Sequence, residues 1–345
     1  MPGRERSWLG LGLVVLATVF WSTSSMFIKA FTVATGMPSL GLAFWRVFIS
    51  ALCLALPMLV LAPGMLRVPR RDLLWLAGMG MLAVGPFQAL WIRSVMLNGA
   101  SVSTVMQCTA PIVVTVLAWA FWREPLTWHK WAAIGLALAG AALISGLADG
   151  IHATCSAVPL GCSVWRVAGE SEAGNIHLTS LGLVIVIAVA LAYAGVTLFA
   201  KPLSGNYSPW TIWMFGFAFA AVALAPFQLG QPLPSHLGWA AIGAFAGLVL
   251  LTTLTGYGLY TVGLKHLEAS VAAIVAMFEV PCAAFWGYMV LGERLNGFQI
   301  VGAVLVVSGS LLLALRSKTD AHPLPSSQPG EGRAWLPSSS ANRRQ

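Results

Sequence analysis

The chain has 345 residues, 58% of them hydrophobic and only 9% charged, against about 25% charged in an average soluble domain. With a mean hydropathy of +0.82 over 36.5 kDa, it carries too little charge to coat a water-facing surface. That excludes an ordinary soluble enzyme, a nucleic-acid binder and a disordered chain. The pI near 9.6 comes from 19 Lys and Arg against 11 Asp and Glu, and those bases fall in loops and tail, where membrane proteins keep their orienting charges.

A bilayer-crossing helix needs about 20 mostly apolar residues. Charge-free stretches and turn signals predict ten of them, at 8–29, 39–62, 72–91, 100–121, 128–148, 179–200, 209–229, 237–260, 268–291 and 297–315. Arg4 and Arg6 precede the first, as in a signal peptide. Its apolar run continues to Ile28 with no small-x-small cleavage site, so it is read as a retained helix. Span two holds one base, Arg46, and span nine one acid, Glu279. The uncharged stretch 202–264 is divided by Gly230-Gln231-Pro232-Leu233-Pro234-Ser235-His236, whose prolines and polar residues read as a turn. Residues 149–178 form the one long loop. Residues 316–345 are rich in Pro, Ser, Gln and Arg, cannot bury a core, and are predicted to be a disordered cytoplasmic tail.

With the N-terminus in the cytoplasm, 14 bases lie on the inner side and 4 on the outer, with Arg46 within the membrane. The positive-inside rule then places both termini in the cytoplasm of a cell inner membrane and the loop 149–178 outside. That loop contains Cys155 and Cys162. An exterior or periplasmic compartment permits disulfides, and the spacing predicts a bridge between these two cysteines.

The sequence also repeats. Gly99-Ala100-Ser101-Val102 corresponds to Glu268-Ala269-Ser270-Val271, Trp122-Arg123-Glu124-Pro125-Leu126 to Leu291-Gly292-Glu293-Arg294-Leu295, and Gly140 to Gly309, all at a shift of 169. Trp21…Lys29-Ala30 corresponds to Tyr193…Lys201-Pro202 at a shift of 172. This predicts an all-α membrane protein with one five-helix repeat at 8–148 and a second at 179–315. Because five is odd, the two repeats would be inverted in the bilayer. Inverted repeats around a midplane site are an architecture of secondary transporters.

These motifs resemble those of the ten-helix drug/metabolite transporter superfamily, specifically its EamA-type exporters. The resemblance rests on Ala-Ser-Val at the start of spans four and nine, on Pro111…Trp122-Arg123-Glu124-Pro125-Leu126, and on Glu279-Val280-Pro281…Leu291-Gly292-Glu293-Arg294-Leu295 followed by a glycine-rich span. It covers about residues 8–315. Two departures stand out. Val280 separates Glu279 from Pro281, which predicts a helix kink one residue later than in the family. Arg123 stands where the family usually has Gly.

An ionised carboxylate at mid-span costs roughly 2.5–3.5 kcal/mol on insertion scales. Glu279 is therefore a candidate contact for a substrate ammonium or a proton-coupling site, or else a structural acid paired across helices. Arg46 suits a substrate carboxylate through its planar fork, or it snorkels or pairs with Glu279. Polar and aromatic cavity candidates are Trp21, Gln88, Trp91, Gln107, Tyr193 and Tyr257. Lys29 and Lys201, at matching ends of spans one and six, are candidate gating or interface residues. Trp75, Trp128, Trp131, Trp210 and Trp239 read as interface belts, and Trp45, Trp119, Trp213 and Trp286 as deeper packing. Gly135, Gly140, Gly302 and Gly309 read as sites of close helix approach.

No metal site, cofactor, catalytic constellation or Walker motif is expected, so the energy source would be an ion gradient, with protons as one candidate, or the solute's own gradient. The expected function is export of a small solute, an amino acid or relative, across the lipid bilayer by alternating access. The alternative is a polytopic membrane enzyme acting on lipid-linked substrates, which would want paired acids or histidines at one interface. The loop reading is directly testable. Cys155 and Cys162 should resist a membrane-impermeant thiol reagent in intact cells until a reductant is added, and free labelling of both would exclude the bridge.

Overall fold

A computed structural model describes residues 2–94, 110–144, 180–228, 237–291 and 297–316, and its regular structure there is entirely helical. Gln107, the Cys155–Cys162 pair, the loop 149–178 and the tail after Arg316 lie outside the described residues.

Span one is two helices, α1 (Pro2–Trp21) and α2 (Ser24–Thr35). Span two is α3 (Ser39–Leu61). A 3-10 turn at Pro63–Leu66 leads to α4 (Arg70–Ser94). Then follow α5 (Ala110–Trp122), α6 (Trp128–Ile144), α7 (Ser180–Ser204), α8 (Pro209–Gln228) and α9 (Trp239–Leu264). Span nine is again two helices, α10 (Ala269–Ala276) and α11 (Glu279–Leu291), and α12 (Gly297–Arg316) closes the series. Six described runs are long and apolar enough to cross a membrane. Their outer faces carry exposed Val33, Leu59, Val60, Leu61, Leu74 and Leu82, which water would disfavour and hydrocarbon does not. The five tryptophans expected at the interface are exposed. Trp119, expected deeper, is exposed as well, while Trp213 is buried.

Both broken spans have local causes. In the first, the hydroxyls of Thr18, Ser22 and Thr23 turn back onto the carbonyls of Val15, Val19 and Phe20 at 2.6, 2.7 and 2.7 Å. Such back-bonding competes with the helical ladder and bends it. In the second, Pro281 has no N–H, and its ring would collide with the carbonyl four residues back, that of Met277. The helix therefore stops at Ala276 and restarts at Glu279. The break lies before Glu279, upstream of the kink expected from the proline's position, and the Met277 carbonyl is taken by the Val280 N–H at 3.0 Å.

The helices α4 and α9 each contain a π-helical stretch, Met79–Val84 and Leu248–Thr255. Their first residues are 169 apart (248 − 79), the shift of the sequence repeat. The helix pairings also recur with the repeats exchanged. α1 packs on α9 as α7 packs on α4, while α3·α8, α5·α10 and α6·α12 join corresponding helices. The α6·α12 seam is tight because of paired glycines. A Cβ on Gly140 would lie 2.4 Å from the Gly302 carbonyl oxygen, and one on Gly309 would lie 2.8 Å from that of Ala133. Gly135, expected in the same role, has no neighbouring atom within 4 Å of that position.

The end of α5 accounts for one departure from the family pattern. Arg123 has φ +54°, in the left-handed region. The Arg123 N–H returns to the Trp119 carbonyl at 2.9 Å, the single bond of an αL termination with its left-handed residue at Arg123. Glycine meets no steric penalty there, whereas other L-residues lose roughly 1–2 kcal/mol. The exposed Arg123→Gly substitution should therefore raise the stability of the detergent-solubilised protein by about 1 kcal/mol, read as an increase in thermal unfolding temperature.

Candidate functional site

The two breaks face one cavity. It is lined by Trp21, Ser24, Arg46, Phe87, Trp91, Tyr193, Tyr257 and Glu279, and its free space of about 20 Å³ accommodates the centres of only a water or two. Of the site residues expected from sequence, Arg46, Glu279, Trp21, Trp91, Tyr193 and Tyr257 come together here. Gln88 sits behind them, fully buried, and its Nε2 donates to the Tyr257 hydroxyl at 3.4 Å. Gln88 and Tyr257 are themselves 169 residues apart, so the bond joins equivalent positions of the two repeats.

Arg46 is 2% exposed. Its Nε donates to Thr253 Oγ1 at 2.8 Å and its Nη2 to Thr252 Oγ1 at 3.2 Å. Both threonines lie in the π-helical stretch of α9, and both hydroxyls donate to the Leu248 carbonyl at 2.7 Å. Each hydroxyl thus spends its proton on the backbone and offers its lone pairs to the guanidinium. Glu279, 7% exposed, begins α11 and interacts electrostatically with Arg46. A carboxylate in the first turn of a helix is favoured by the helix dipole. The charges come from different repeats and meet only in the folded bundle.

Aromatic rings form the remaining walls. Trp21 packs edge-on against Tyr257 with centroids 5.0 Å apart, and Trp213 supports Tyr257 from behind at 4.3 Å. Phe87 lies 5.7 Å from Tyr193 and is stacked on Trp91 at 6.4 Å. Sequence reasoning missed Ser24 and Phe87. Ser24 stands in a run of hydroxyl residues, Ser22-Thr23-Ser24-Ser25, in mid-span, and that polar run was a readable signal. Phe87 carries no such mark.

The lysines lie elsewhere. Lys29 does not end its helix, which continues to Thr35, and its side chain is exposed. Lys201 is followed by three more residues of α7. Its Nζ donates to the Leu264 carbonyl at 2.9 Å and also to that of Leu267, so a cation stands at the C-terminal end of α9, where the dipole favours it.

Nearby, Glu124 of the family motif accepts from the backbone N–H of Ala269 at 2.9 Å, the N–H of Ser270 at 3.2 Å and the Ser270 hydroxyl at 2.5 Å. It caps the start of α10 from the opposite repeat. Lys130 lies between Glu268 at 2.7 Å and Glu124 at 3.8 Å. On the same side, the Tyr207 hydroxyl donates to Asp72. Burial, together with the hydrogen bond to Asp72 and its charge, pushes that phenol up to about 12, so it remains a donor through physiological pH.

The cavity thus lies at two helix breaks inside the bundle, is walled by aromatics and carries both charge signs. The sequence profile of the EamA-like transporter family matches residues 8–146 and again 180–315. The chain belongs to the EamA-like transporter family. Among its relatives, an uncharacterized transporter of Archaeoglobus fulgidus is 25% identical over 88% of this chain and 95% of its own. The uncharacterized transporter YwfM of Bacillus subtilis is 23% identical over 87% and 92%. A protein of Streptantibioticus cattleyicolor named as a probable terminal-alkyne amino-acid exporter is 26% identical over 88% and 93%. A crystal structure at 14% identity shares the fold, with a TM-score of 0.70 over 91% of this chain and 99% of that one.

The cap formed by Glu124 yields a stability prediction. Glu124→Ala removes the acceptor of three hydrogen bonds and should lower the unfolding free energy by about 1.5–3 kcal/mol. Lys29→Ala, on an exposed face, should change it by less than about 0.5 kcal/mol. Thermal unfolding of the two purified variants checks both.

Proposed function

We propose that the protein is a secondary transporter that exports a small zwitterionic solute, an amino acid or close relative, across the inner membrane. The observation that carries this reading is the placement of Arg46 and Glu279, from different repeats, in the wall of one cavity at two helix breaks. A zwitterion presents a carboxylate to the guanidinium and an ammonium to Glu279, and its side chain meets the aromatic walls. The relative named as an amino-acid exporter supports the same solute class.

Alternating access follows from two inverted repeats that exchange conformations around this fixed site. The exchange-related pairings of the helices and the π-helical stretches at corresponding positions support that arrangement. In the orientation drawn from the base distribution, both termini and the Glu124 cap face the cytoplasm. Proton exchange couples to export through Glu279. A charge inside a span is costly, and protonation of Glu279 removes it.

Flux of amino acids in proteoliposomes tests this reading. Glu279→Gln retains shape and hydrogen bonding but cannot titrate, so it should fold, lose transport, and lose the pH dependence of any residual flux. Arg46→Lys replaces a planar fork by a point charge and should weaken solute binding about tenfold or more, equivalent to about 1.4 kcal/mol. A purely structural ion pair predicts otherwise. Either single change would then cost about 3–5 kcal/mol of stability, and Arg46→Gln combined with Glu279→Gln would restore the yield of monodisperse protein. Full flux by well-folded Glu279→Gln with an unchanged pH profile would remove Glu279 from the mechanism.

A further inference from the structure

The break between α1 and α2 carries polar groups that the fold leaves unsatisfied. Thr18, Ser22 and Thr23 each spend their hydroxyl on a carbonyl three residues back. Ser24, next in line, does not. Its Oγ is buried and has no hydrogen-bond partner within the protein, and the residue lines the cavity. Trp21, on the other side of the break, likewise has an Nε1–H with no partner. Exposure is only 6% for Trp21 and 5% for Ser24, so bulk water does not serve them.

The indole is held in this position. Its ring packs on Tyr257 and on Tyr260, with centroids 5.0 and 5.1 Å away. Gly256 leaves room for its edge, since a Cβ there would lie 2.6 Å from Trp21 Nε1. An unsatisfied buried donor costs the full desolvation of the group, and here two such groups flank the same two-residue break.

The chemistry of these groups selects their ligand. An indole N–H donates and cannot accept. A serine hydroxyl donates readily to a charged oxygen. Ser24 also opens α2, a helix of 12 residues, and the first turn of a helix favours negative charge. All three features call for an anionic oxygen. We infer that the α1–α2 break is the subsite for the solute's carboxylate, with Trp21 Nε1 and Ser24 Oγ donating to its oxygens and Arg46 supplying the balancing charge. This rests on the zwitterion reading above and deepens it, because it assigns the two ends of the solute to separate groups. The ammonium belongs to Glu279. Carboxylate specificity belongs to Trp21 and Ser24, since two N–H groups of Arg46 are already committed to Thr252 and Thr253.

The test uses the protein in detergent and four phenyl-bearing probes: L-phenylalanine, benzoate, benzamide and benzylamine. Binding is read by thermal shift and tryptophan fluorescence in wild type, Trp21→Phe, Ser24→Ala and Glu279→Gln. Benzoate and phenylalanine should bind wild type saturably and benzamide at least tenfold more weakly. Trp21→Phe keeps the ring and removes the N–H. It and Ser24→Ala should each weaken benzoate binding about tenfold while leaving benzylamine within twofold, and Glu279→Gln should do the reverse. Ser24→Ala without ligand should melt no lower than wild type, because it deletes a hydroxyl that has no partner, and this keeps the test open if Trp21→Phe fails to fold.

Benzoate binding unaffected by both Trp21→Phe and Ser24→Ala, or benzamide bound as tightly as benzoate, would overturn the subsite. If benzylamine then still depended on Glu279, the zwitterion reading would survive without it. Benzoate binding that depends on Trp21 and Ser24, alongside absent amino-acid flux, would leave the subsite standing and remove the export reading. No saturable binding of any probe by wild type would overturn both.

Discussion

A guanidinium and a carboxylate enclosed in an apolar helix bundle must find their partners inside the protein, because lipid offers none. Much of the architecture follows from that constraint. Arg46 is satisfied by two adjacent threonines, and those threonines sit in a π-helical stretch of α9 with both hydroxyls turned onto one carbonyl. Glu279 stands at the first position of a helix that restarts after a break, where the helix dipole favours a negative charge. The interruptions of regular helix are therefore concentrated where polar chemistry has to be accommodated. Away from the cavity, helices also pack through small residues, as along the α6·α12 seam at Gly140 and Gly309.

The scaffold and the site have different symmetry. Helix pairings, the two π-helical stretches and the Gln88–Tyr257 bond all relate equivalent positions of the two repeats. The charges do not. Arg46 has no charged counterpart in Trp213-Met214-Phe215-Gly216-Phe217, and the residue 169 before Glu279 is Ala110. A symmetric scaffold allows equivalent conformations to be exchanged, whereas an unsymmetric cavity distinguishes the ends of an unsymmetric solute. The two helix breaks differ in origin as well, hydroxyl back-bonding in the first and a proline in the second.

Away from the cavity, a second polar cluster joins the repeats at one end of the bundle. Glu124 caps α10, Lys130 bridges two glutamates, Lys201 caps α9 and Tyr207 holds Asp72. Each bond satisfies a helix end or a loop charge, and most of them cross from one repeat to the other. Hydrogen bonds to charged groups contribute more than neutral ones, so the cluster holds this end of the bundle together.

The all-helical membrane class, the repeat shift and the identity of the two membrane charges were legible in the sequence, because in a bilayer hydropathy and charge placement act locally, residue by residue. The EamA-type motif was legible too, including the position where Arg123 replaces glycine, although its cause, a left-handed φ, belongs to the folded chain. The tertiary structure alone decided which residues meet. Ser24 lines the cavity with a hydroxyl that, unlike those of Thr18, Ser22 and Thr23, has no hydrogen-bond partner within the protein. Lys201 is a helix cap rather than a free end because the carbonyls of Leu264 and Leu267 come to it from another helix. Arg46 is bound to threonines more than 200 residues away. Such pairings depend on helix rotation and register across the bundle, which the pattern of any single span does not encode.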